Sequence, residues 1–267
     1  MGIPLMETLS VVIITRNEEK NIVACLESVS WADEIVVVDS GSTDRTVELC
    51  RRYTDHVSFR EWDGYSGQRN AAHDMAAKDW ILSLDADERV TPELAEEIKG
   101  MLVDPEPGVD GYRLPYKVFF RDQWLRHGGF YPEKHLRLFR RGRGAYGPRA
   151  VHEAIQVDGG TADLNGHIEH YTYDSISDFI KRMEAYSTLS AQEYAAKGRK
   201  IGVFGMTGHA AWNFFQMYIL NRGFLDGYVG FLLAGLYSMY SFVKYAKLHE
   251  INQTEINRTE TNVTKGQ

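Results

Sequence analysis

The hydrophobic pattern of the first hundred residues alternates between continuous apolar runs and apolar residues at helical spacing. The apolar runs predict four strands, at residues 9–15, 34–39, 56–59 and 80–84. Helical patterns separate them, and Thr91 followed by Pro92 is typical of a helix start. Apolar strands that alternate with helices indicate an α/β fold with a mostly parallel sheet covered on both faces. Such a sheet binds ligands beyond the carboxyl ends of its strands.

The pattern changes beyond residue 104. Shorter runs at 110–120, 135–139 and 154–157 predict strands of an antiparallel or mixed annex to the same sheet. From Ser175 to about residue 249, apolar residues recur at helical spacing, which predicts a C-terminal helical extension. Residues 250–267 repeat a polar motif and are expected to be disordered.

A cluster of carboxylates follows the fourth predicted strand. Asp85, Asp87 and Glu88 are close in sequence, and Asp85 and Asp87 can face one site because alternate residues of an extended chain point the same way. Two such charges ~4 Å apart repel by roughly 1 to 4 kcal/mol. A divalent cation between them and a ligand phosphate would remove that cost, and Mg²⁺ or Mn²⁺ suits oxygen ligands. The alternative is a solvated acidic loop ahead of the helix that begins at Thr91.

Polar clusters also end the other strands. The first strand ends in four polar residues: Thr15, Arg16, Asn17 and Glu18. After the second strand, Asp39 and Asp44 could accept hydrogen bonds from a nucleobase or ribose, although turn and capping roles explain each cluster alone equally well. At the start of a later helix, Arg69 and Asn70 could meet a diphosphate, which a helix N-terminus also favours. Because these strand ends meet at one edge of the sheet, together they predict a binding site.

Composition argues against several classes of protein. The net charge of −7 disfavours a nucleic-acid partner, since a phosphate backbone needs a basic face. The two cysteines form no CxxC pair, and His167 with His170 makes no metal site without a third ligand nearby. Neither a Gly-rich dinucleotide fingerprint after the first strand nor a phosphate-binding GxxxxGK[ST] motif occurs. The N-terminal segment lacks signal-peptide features, which favours a cytoplasmic protein.

An uncharged segment, residues 227–243, raises the question of a membrane. Its seventeen residues fall short of the ~20 that a spanning helix needs. Five aromatic residues precede it: Trp212, Phe214, Phe215, Tyr218 and Phe224. The combination predicts helices that rest peripherally on a membrane surface, and the alternative is a helix buried against the rest of the protein.

Four motifs, in order, resemble the nucleotide-sugar-binding half of family 2 glycosyltransferases: VVIITRNEE, IVVVDSGSTD, GQRNAA and WILSLDADE. Later pieces are similar to a bacterial subfamily that adds glucose or a related sugar to the lipopolysaccharide inner core: HLRLFRR, VHE and GFLDGYVGF. The resemblance implies a GT-A fold, a UDP-sugar or similar donor, a divalent metal and inversion at the anomeric carbon. Residues 1–104 are accordingly expected to bind the nucleotide sugar, and residues 105–172 to form the acceptor and catalytic half of the same domain. The sequence pattern adds C-terminal helices at 173–249, expected to associate with a membrane surface, and a disordered repeat tail at 250–267.

The resemblance also assigns roles to the strand ends. It implies that Thr15, Asn17 and Glu18 line the nucleotide pocket, and that Asp39 holds the base. Many relatives carry two acids where this chain has Asp39 and Ser40. The base contacts are therefore expected to differ in detail.

The metal motif and the general base complete the implied site. Asp85 would contact the ribose, Asp87 the metal, and Ala86 lies between them. An acceptor hydroxyl that attacks the anomeric carbon needs one general base across the sugar from the metal. The best candidate is Glu153, in a position comparable to that of the family's base, although its neighbour is His152 rather than another acid.

Residues 134–149 contain no acid and six basic residues: Lys134, Arg137, Arg140, Arg141, Arg143 and Arg149. This segment could clamp the donor diphosphate or meet phosphates of an anionic lipid acceptor. The alternative is a solvated charged face.

Together these expectations describe an inverting, metal-dependent glycosyltransferase. It would move a hexose, with glucose favoured, to a lipid-linked saccharide such as the lipopolysaccharide core, on the inner face of the cytoplasmic membrane. A close alternative is a transferase onto polyprenyl phosphate, whose acceptor is already ionised and needs no base. More distant alternatives are a nucleotidyltransferase, which favours a Gly- and Lys-bearing loop after the first strand, and a non-catalytic saccharide-binding module, which needs no carboxylate pair.

Overall fold

The computed structural model describes residues 6–147 and 154–265, in a chain that divides into two compact units. The first unit comprises Met1–Phe119 and Pro132–Thr172, and the second comprises Phe120–Tyr131 and Tyr173–Gln267. The first unit therefore joins most of the two halves predicted at residues 1–104 and 105–172. The second unit takes in a short insertion from the middle of the chain, which the linear sequence pattern does not reveal.

A parallel sheet in the order β3-β2-β1-β4 forms the beginning of the first unit. Its strands are β1 (Leu9–Thr15), β2 (Glu34–Asp39), β3 (Val57–Phe59) and β4 (Trp80–Asp85). The predicted strands are thus confirmed to within one residue at each end. Thr15 pairs with Asp39, and Ile14 pairs with Asp85, so three strands end at the same edge of the sheet.

Helices cover both faces of this parallel sheet. They are α1 (Ile22–Ser28), α2 (Thr46–Cys50), α3 (Tyr65–Met75) and α4 (Pro92–Val103). Alternate residues of β1 face opposite cores: Val11 belongs to a cluster that includes residues of α1 and α4, whereas Val12 packs in a second cluster with Ala72 of α3. The helix predicted to begin after Thr91 is confirmed, because the Thr91 side chain accepts the Leu94 N–H at 3.3 Å.

The annex to the sheet is mixed, as predicted. Its main strands are β5 (Glu88–Val90), β6 (Val109–Phe120), β8 (Glu133–Arg140) and β12 (Ile168–Tyr173). They extend the sheet in the order β4-β8-β6-β12-β5, and β8 is antiparallel to both β4 and β6. The other short strands of this sheet are β7 (Gln123–Trp124) and β11 (Gly160–Asp163). The strands β9 (Gly144–Tyr146) and β10 (Ile155–Val157) pair with each other in a separate two-stranded sheet, so the strand predicted at 154–157 forms but does not join the main sheet. Antiparallel pairing of β12 with β5 sets His170 opposite Glu88.

The second unit is helical, as predicted from Ser175 onward. It contains α5 (Ile176–Ala196), α6 (Val203–Phe215), a π-helical turn (Gln216–Leu220), a 3₁₀ turn (Gly223–Asp226) and α7 (Gly227–Lys265). Ala191, Met206, Tyr245 and Leu248 form one buried cluster within it. Helix α7 continues to Lys265, whereas disorder was expected from residue 250. The extension has a physical basis, because the costly step of helix formation is the first turn, and a helix that continues from a packed segment has already formed it.

The C-terminal helices contain no transmembrane span in the part of the chain that the structure describes. None of the helices there combines enough length with enough hydrophobicity to cross a bilayer.

Candidate functional site

Hydrogen bonds tie together the two loops that follow β1 and β2. The Asn17 N–H donates to Ser42 Oγ at 2.8 Å, and Asn17 Oδ1 accepts the Thr43 N–H at 2.8 Å. The Glu18 N–H donates to Thr46 Oγ1 at 2.8 Å. Asn17 has a φ of 55°, a left-handed conformation that Asn adopts more readily than most residues. The predicted pocket residues Asn17 and Glu18 therefore shape this edge, and Arg16 beside them is exposed.

Asp39 is buried at the end of β2, next to Thr15. Its Oδ2 accepts the N–H groups of Gly41 at 2.8 Å and Ser42 at 2.9 Å, and its Oδ1 accepts the Ser42 hydroxyl. Ser40 Oγ donates to the Thr15 carbonyl at 3.2 Å, so the residue that stands in place of a second acid links β1 to β2. The Thr15 hydroxyl is buried and has no hydrogen-bond partner among the described residues.

Asp44 closes the same loop. Its Oδ1 accepts the N–H of Thr46 at 3.0 Å and the Thr46 hydroxyl at 2.5 Å, and its Oδ2 accepts the Glu19 N–H at 3.2 Å. Burial alone would raise the pKa of Asp44, but these hydrogen bonds outweigh it and lower the pKa. Asp44 is thus held ionised at the rim of the predicted nucleotide pocket.

Two arginines neutralise the carboxylate cluster after β4. Arg69 Nη2 donates to both oxygens of Asp85, at 2.7 and 2.8 Å. Arg137 Nη2 lies 3.0 Å from Glu88 Oε1 and 3.4 Å from Asp85 Oδ2. Glu88 Oε2 also accepts the Asp85 N–H at 2.9 Å, which closes the turn around the buried Ala86. The cluster is therefore a buried ionic network and not a solvated acidic loop.

The surroundings shift the pKa values of the two acids in this network, Asp85 and Glu88, in opposite directions. Burial alone would raise the pKa of Asp85, but Arg69 and Arg137 hold it well below its usual range. Glu88 is completely buried, and because desolvation outweighs its contact with Arg137, its pKa is raised. The turn thus keeps Asp85 ionised beside a second acid that is more easily protonated.

Arg69 and Asn70, predicted to meet a diphosphate, both have partners within the protein. Arg69 is engaged by Asp85 because a buried carboxylate needs a neighbouring cation. The Asn70 amide donates to the Tyr146 carbonyl at 3.0 Å and accepts the Tyr146 N–H at 2.9 Å. Direct contact of either residue with a phosphate therefore stays a prediction.

Asp87 lies next to His170, which the sequence pattern had paired only with His167 and set aside as a metal ligand. Asp87 is buried, and its Oδ2 is 3.5 Å from His170 Nε2. Burial alone would lower the pKa of His170, but the carboxylates of Asp87, Glu88 and Asp85 raise it to about 9. No local sequence signal could reveal this pair, since only the pairing of β12 with β5 brings His170 to the turn.

Asp87 and His170 form a pair and not a complete metal cage. Within the described residues, no three His, Cys, Asp or Glu side chains come together as a metal site. One carboxylate oxygen and one imidazole nitrogen nevertheless suit a divalent cation whose other ligands come from a bound phosphate and water.

Like Arg137, the other described basic residues of segment 134–149 have partners within the protein. Lys134 pairs with Asp163, Arg140 with Glu7 and Arg143 with Asp158, and Arg141 donates to the Lys78 carbonyl. Their contact with a bound phosphate stays a prediction. Arg149, His152 and the predicted general base Glu153 lie outside the described residues.

Comparison with known proteins identifies glycosyltransferases, both as the matching family and as individual relatives. The family described as "Glycosyl transferase family 2" matches residues 10–157. An uncharacterized glycosyltransferase of Rickettsia typhi is 30% identical over 92% of this chain and 88% of its own length. The lipopolysaccharide core biosynthesis glycosyltransferase LpsC of Rhizobium meliloti is 32% identical over 91% of this chain and 92% of its own length.

A fold match to a solved structure extends over most of the chain. The mannosyltransferase PcManGT of Pyrobaculum calidifontis, solved with GDP-Man and Mn²⁺, is similar with a TM-score of 0.54 and 17% identity. The match covers 91% of this chain and 87% of that protein.

Proposed function

The chain belongs to glycosyltransferase family 2 and is a glycosyltransferase with the GT-A fold, and on that premise we propose its reaction. It transfers a hexose, with glucose favoured, from a UDP-sugar to a lipid-linked saccharide such as the lipopolysaccharide core, with inversion at the anomeric carbon. The 32% identity to LpsC, which is named for lipopolysaccharide core biosynthesis, supports this acceptor class. The same proposal has the chain bound peripherally to the inner face of the cytoplasmic membrane.

The nucleotide is proposed to lie across the ends of β1, β2 and β4. Thr15 pairs with Asp39 on the neighbouring strand, and Asp85 ends the strand on the other side of β1. A carboxylate offers about four lone-pair sites, and the Asp39 loop fills three of them, which leaves one for an N–H of the base. The buried Thr15 hydroxyl is a second candidate contact, since an unpaired buried hydroxyl costs about 1 to 3 kcal/mol until a ligand satisfies it.

The observation that carries the proposal is the approach of Asp87 to His170 at 3.5 Å. The carboxylate suits Mg²⁺ or Mn²⁺, and a small protein ligand set leaves positions for a diphosphate. Because the neighbouring acids favour the protonated form of His170, its imidazole would add a nitrogen ligand only after losing a proton to solvent as the cation binds. The Mn²⁺ bound by PcManGT supports the same class of cofactor. When bound, such a cation neutralises charge on the departing diphosphate. Asp87 and His170 would hold it, while Arg69 keeps the neighbouring Asp85 ionised.

Glu153 is proposed as the general base that takes the proton from the acceptor hydroxyl. A polyprenyl phosphate acceptor is ionised already and needs no base, so one variant separates the two acceptor classes. Glu153→Gln is expected to abolish nearly all transfer to a saccharide hydroxyl. Retention of most activity would favour the polyprenyl phosphate transferase instead. Membership of the family sets aside the nucleotidyltransferase and the non-catalytic module.

Thermal denaturation with nucleotide and metal tests the site directly, because a ligand that binds only the folded state raises the melting temperature. UDP should raise the melting temperature more with Mn²⁺ than with a chelator present. Asp87→Asn and His170→Gln should each lose this metal-dependent part, and the exposed control Asp74→Asn should keep it. If UDP raised the melting temperature of the wild type equally with Mn²⁺ and with a chelator, the metal site would be refuted. No shift with any nucleotide would refute the nucleotide pocket.

A further inference from the structure

Helix α6 turns its largest apolar side chains toward solvent. Phe204 is 94% exposed, and Trp212 and Phe215 follow it as exposed residues at helical spacing. Met206 is the one residue of α6 that is buried. A surface helix ordinarily turns its apolar face toward the core. An outward apolar face therefore indicates a surface that another molecule covers.

The segment from the 3₁₀ turn into α7 continues this surface. Phe224, Tyr228 and Phe231 are exposed there. The Tyr218 ring, just after α6, lies 5.7 Å from the Phe231 ring and 6.2 Å from the Phe224 ring, centroid to centroid, which joins the two helices' apolar surfaces. We call the exposed side chains the aromatic face: Phe204, Trp212, Phe215, Phe224, Tyr228 and Phe231.

Charge around the aromatic face is unlike that of the chain as a whole. The chain has a net charge of −7, yet residues 198–225 contain neither Asp nor Glu. Arg199, Lys200 and Arg222 are exposed in the same segment. The next acid, Asp226, is turned inward, where it accepts the His127 N–H at 2.9 Å and contacts His127 Nδ1 at 2.8 Å. The aromatic face is thus flanked by positive charge without exposed negative charge nearby in sequence.

We propose that the aromatic face binds a bilayer that contains anionic phospholipid. Aromatic rings favour the boundary between headgroups and acyl chains, and basic residues beside them are attracted to anionic headgroups. A second copy of the chain fits less well, because a two-fold contact brings the same basic residues of both copies toward each other. This inference rests on the proposed lipid-linked acceptor for its biological setting, and it specifies which surface meets the membrane.

Vesicle flotation of the full chain tests the proposal, with vesicles of phosphatidylcholine alone and vesicles that also contain phosphatidylglycerol. The wild type should float with both and more strongly with phosphatidylglycerol. In the double variant Phe204→Ser with Trp212→Ser, the fraction of protein bound to vesicles should be at least tenfold lower than in the wild type. Arg199→Gln with Lys200→Gln should remove the preference for phosphatidylglycerol.

Matched controls lie on exposed positions of the first unit. Val103→Ser removes an exposed apolar side chain, and Arg51→Gln with Arg52→Gln removes two exposed charges. Both controls should float like the wild type. Without vesicles, UDP with Mn²⁺ should raise the melting temperature of every variant as much as that of the wild type. Failure of flotation is therefore distinguishable from failure of the proposed reaction.

Two outcomes would overturn the proposal. The first is a wild type that does not float with phosphatidylglycerol vesicles, and the second is undiminished flotation of the Phe204 and Trp212 variant. Light scattering extends the first outcome, because it can detect a dimer that this variant abolishes. That result would assign the aromatic face to a second copy of the chain.

Discussion

At the scale of single residues, Arg137 links the acids of the turn after β4. It contacts Glu88 at 3.0 Å and Asp85 at 3.4 Å, and it donates to the Tyr146 hydroxyl at 3.1 Å. Removing one partner of a buried ion pair leaves an uncompensated charge, so Arg137→Met should lower the free energy of unfolding by about 3 to 5 kcal/mol. Urea denaturation at neutral pH measures this loss.

Arg113 provides the matched control for Arg137. It also lies on a strand of the annex and pairs with an acid, Asp163, but its side chain is 43% exposed, against 13% for Arg137. Exposed ion pairs contribute about 0 to 1 kcal/mol, so Arg113→Met should cost no more than that. Equal losses for the two variants would contradict the view that Arg137 compensates buried charge.

His73 of α3 is a second residue whose burial has a measurable consequence. Burial, together with Arg69 and Arg137, lowers the pKa of His73 to about 3. An unfolded histidine has a pKa of about 6.5, so below that pH the unfolded chain binds a proton that the folded protein does not. This group therefore stabilises the fold above pH ~6.5, and its contribution should fall by about 2 kcal/mol between pH 7 and pH 5.

The substitution His73→Gln isolates this contribution. Urea denaturation at a series of pH values between 7 and 5 should give a flatter dependence for His73→Gln than for the wild type. The exposed control His56→Gln should keep the wild-type slope. An unchanged slope in His73→Gln would show that another group causes the dependence.

At the scale of elements, the start of α4 is set by Thr91. Its hydroxyl oxygen accepts the Leu94 N–H at 3.3 Å and the His167 N–H at 3.4 Å. Loss of such a cap costs about 1 kcal/mol, so Thr91→Ala should lower the free energy of unfolding by that amount. Thr91→Ser keeps the oxygen and should recover most of it. Thermal denaturation compares the variants, and equal stability of the Ala and Ser variants would refute the capping role.

Elements with a local pattern were predictable, and elements defined by distant pairing were not. The strands β1, β2 and β4 follow from continuous apolar runs, and the edge where they end follows from their parallel order. The approach of His170 to Asp87 depends on the register of β12 against β5, which no local pattern specifies. The partners of the carboxylate cluster were missed for the same reason, because Arg137 reaches the turn from the antiparallel strand β8.

At the scale of the whole molecule, each of the two compact units has buried clusters among its own described residues. The buried clusters of the sheet contain residues of the first unit alone. The buried cluster of the second unit combines Ala191 and Met206 with Tyr245 and Leu248 of α7. Helix α7 therefore contributes to the second core, and Ile251, at the start of the polar repeat, packs against the same cluster as a partly buried residue.

Two truncations test this division. A chain that ends at residue 254 keeps Tyr245 and Leu248, and its thermal unfolding should match that of the full chain. A chain that ends at residue 243 loses both, and because large core side chains each contribute about 2 to 5 kcal/mol, the second unit should unfold. Far-ultraviolet circular dichroism should then show a loss of helix larger than the deleted residues account for. The first unit should still respond to UDP, because the clusters described on the two faces of its sheet are built from residues of the first unit. Loss of that response would contradict an independently folded first unit.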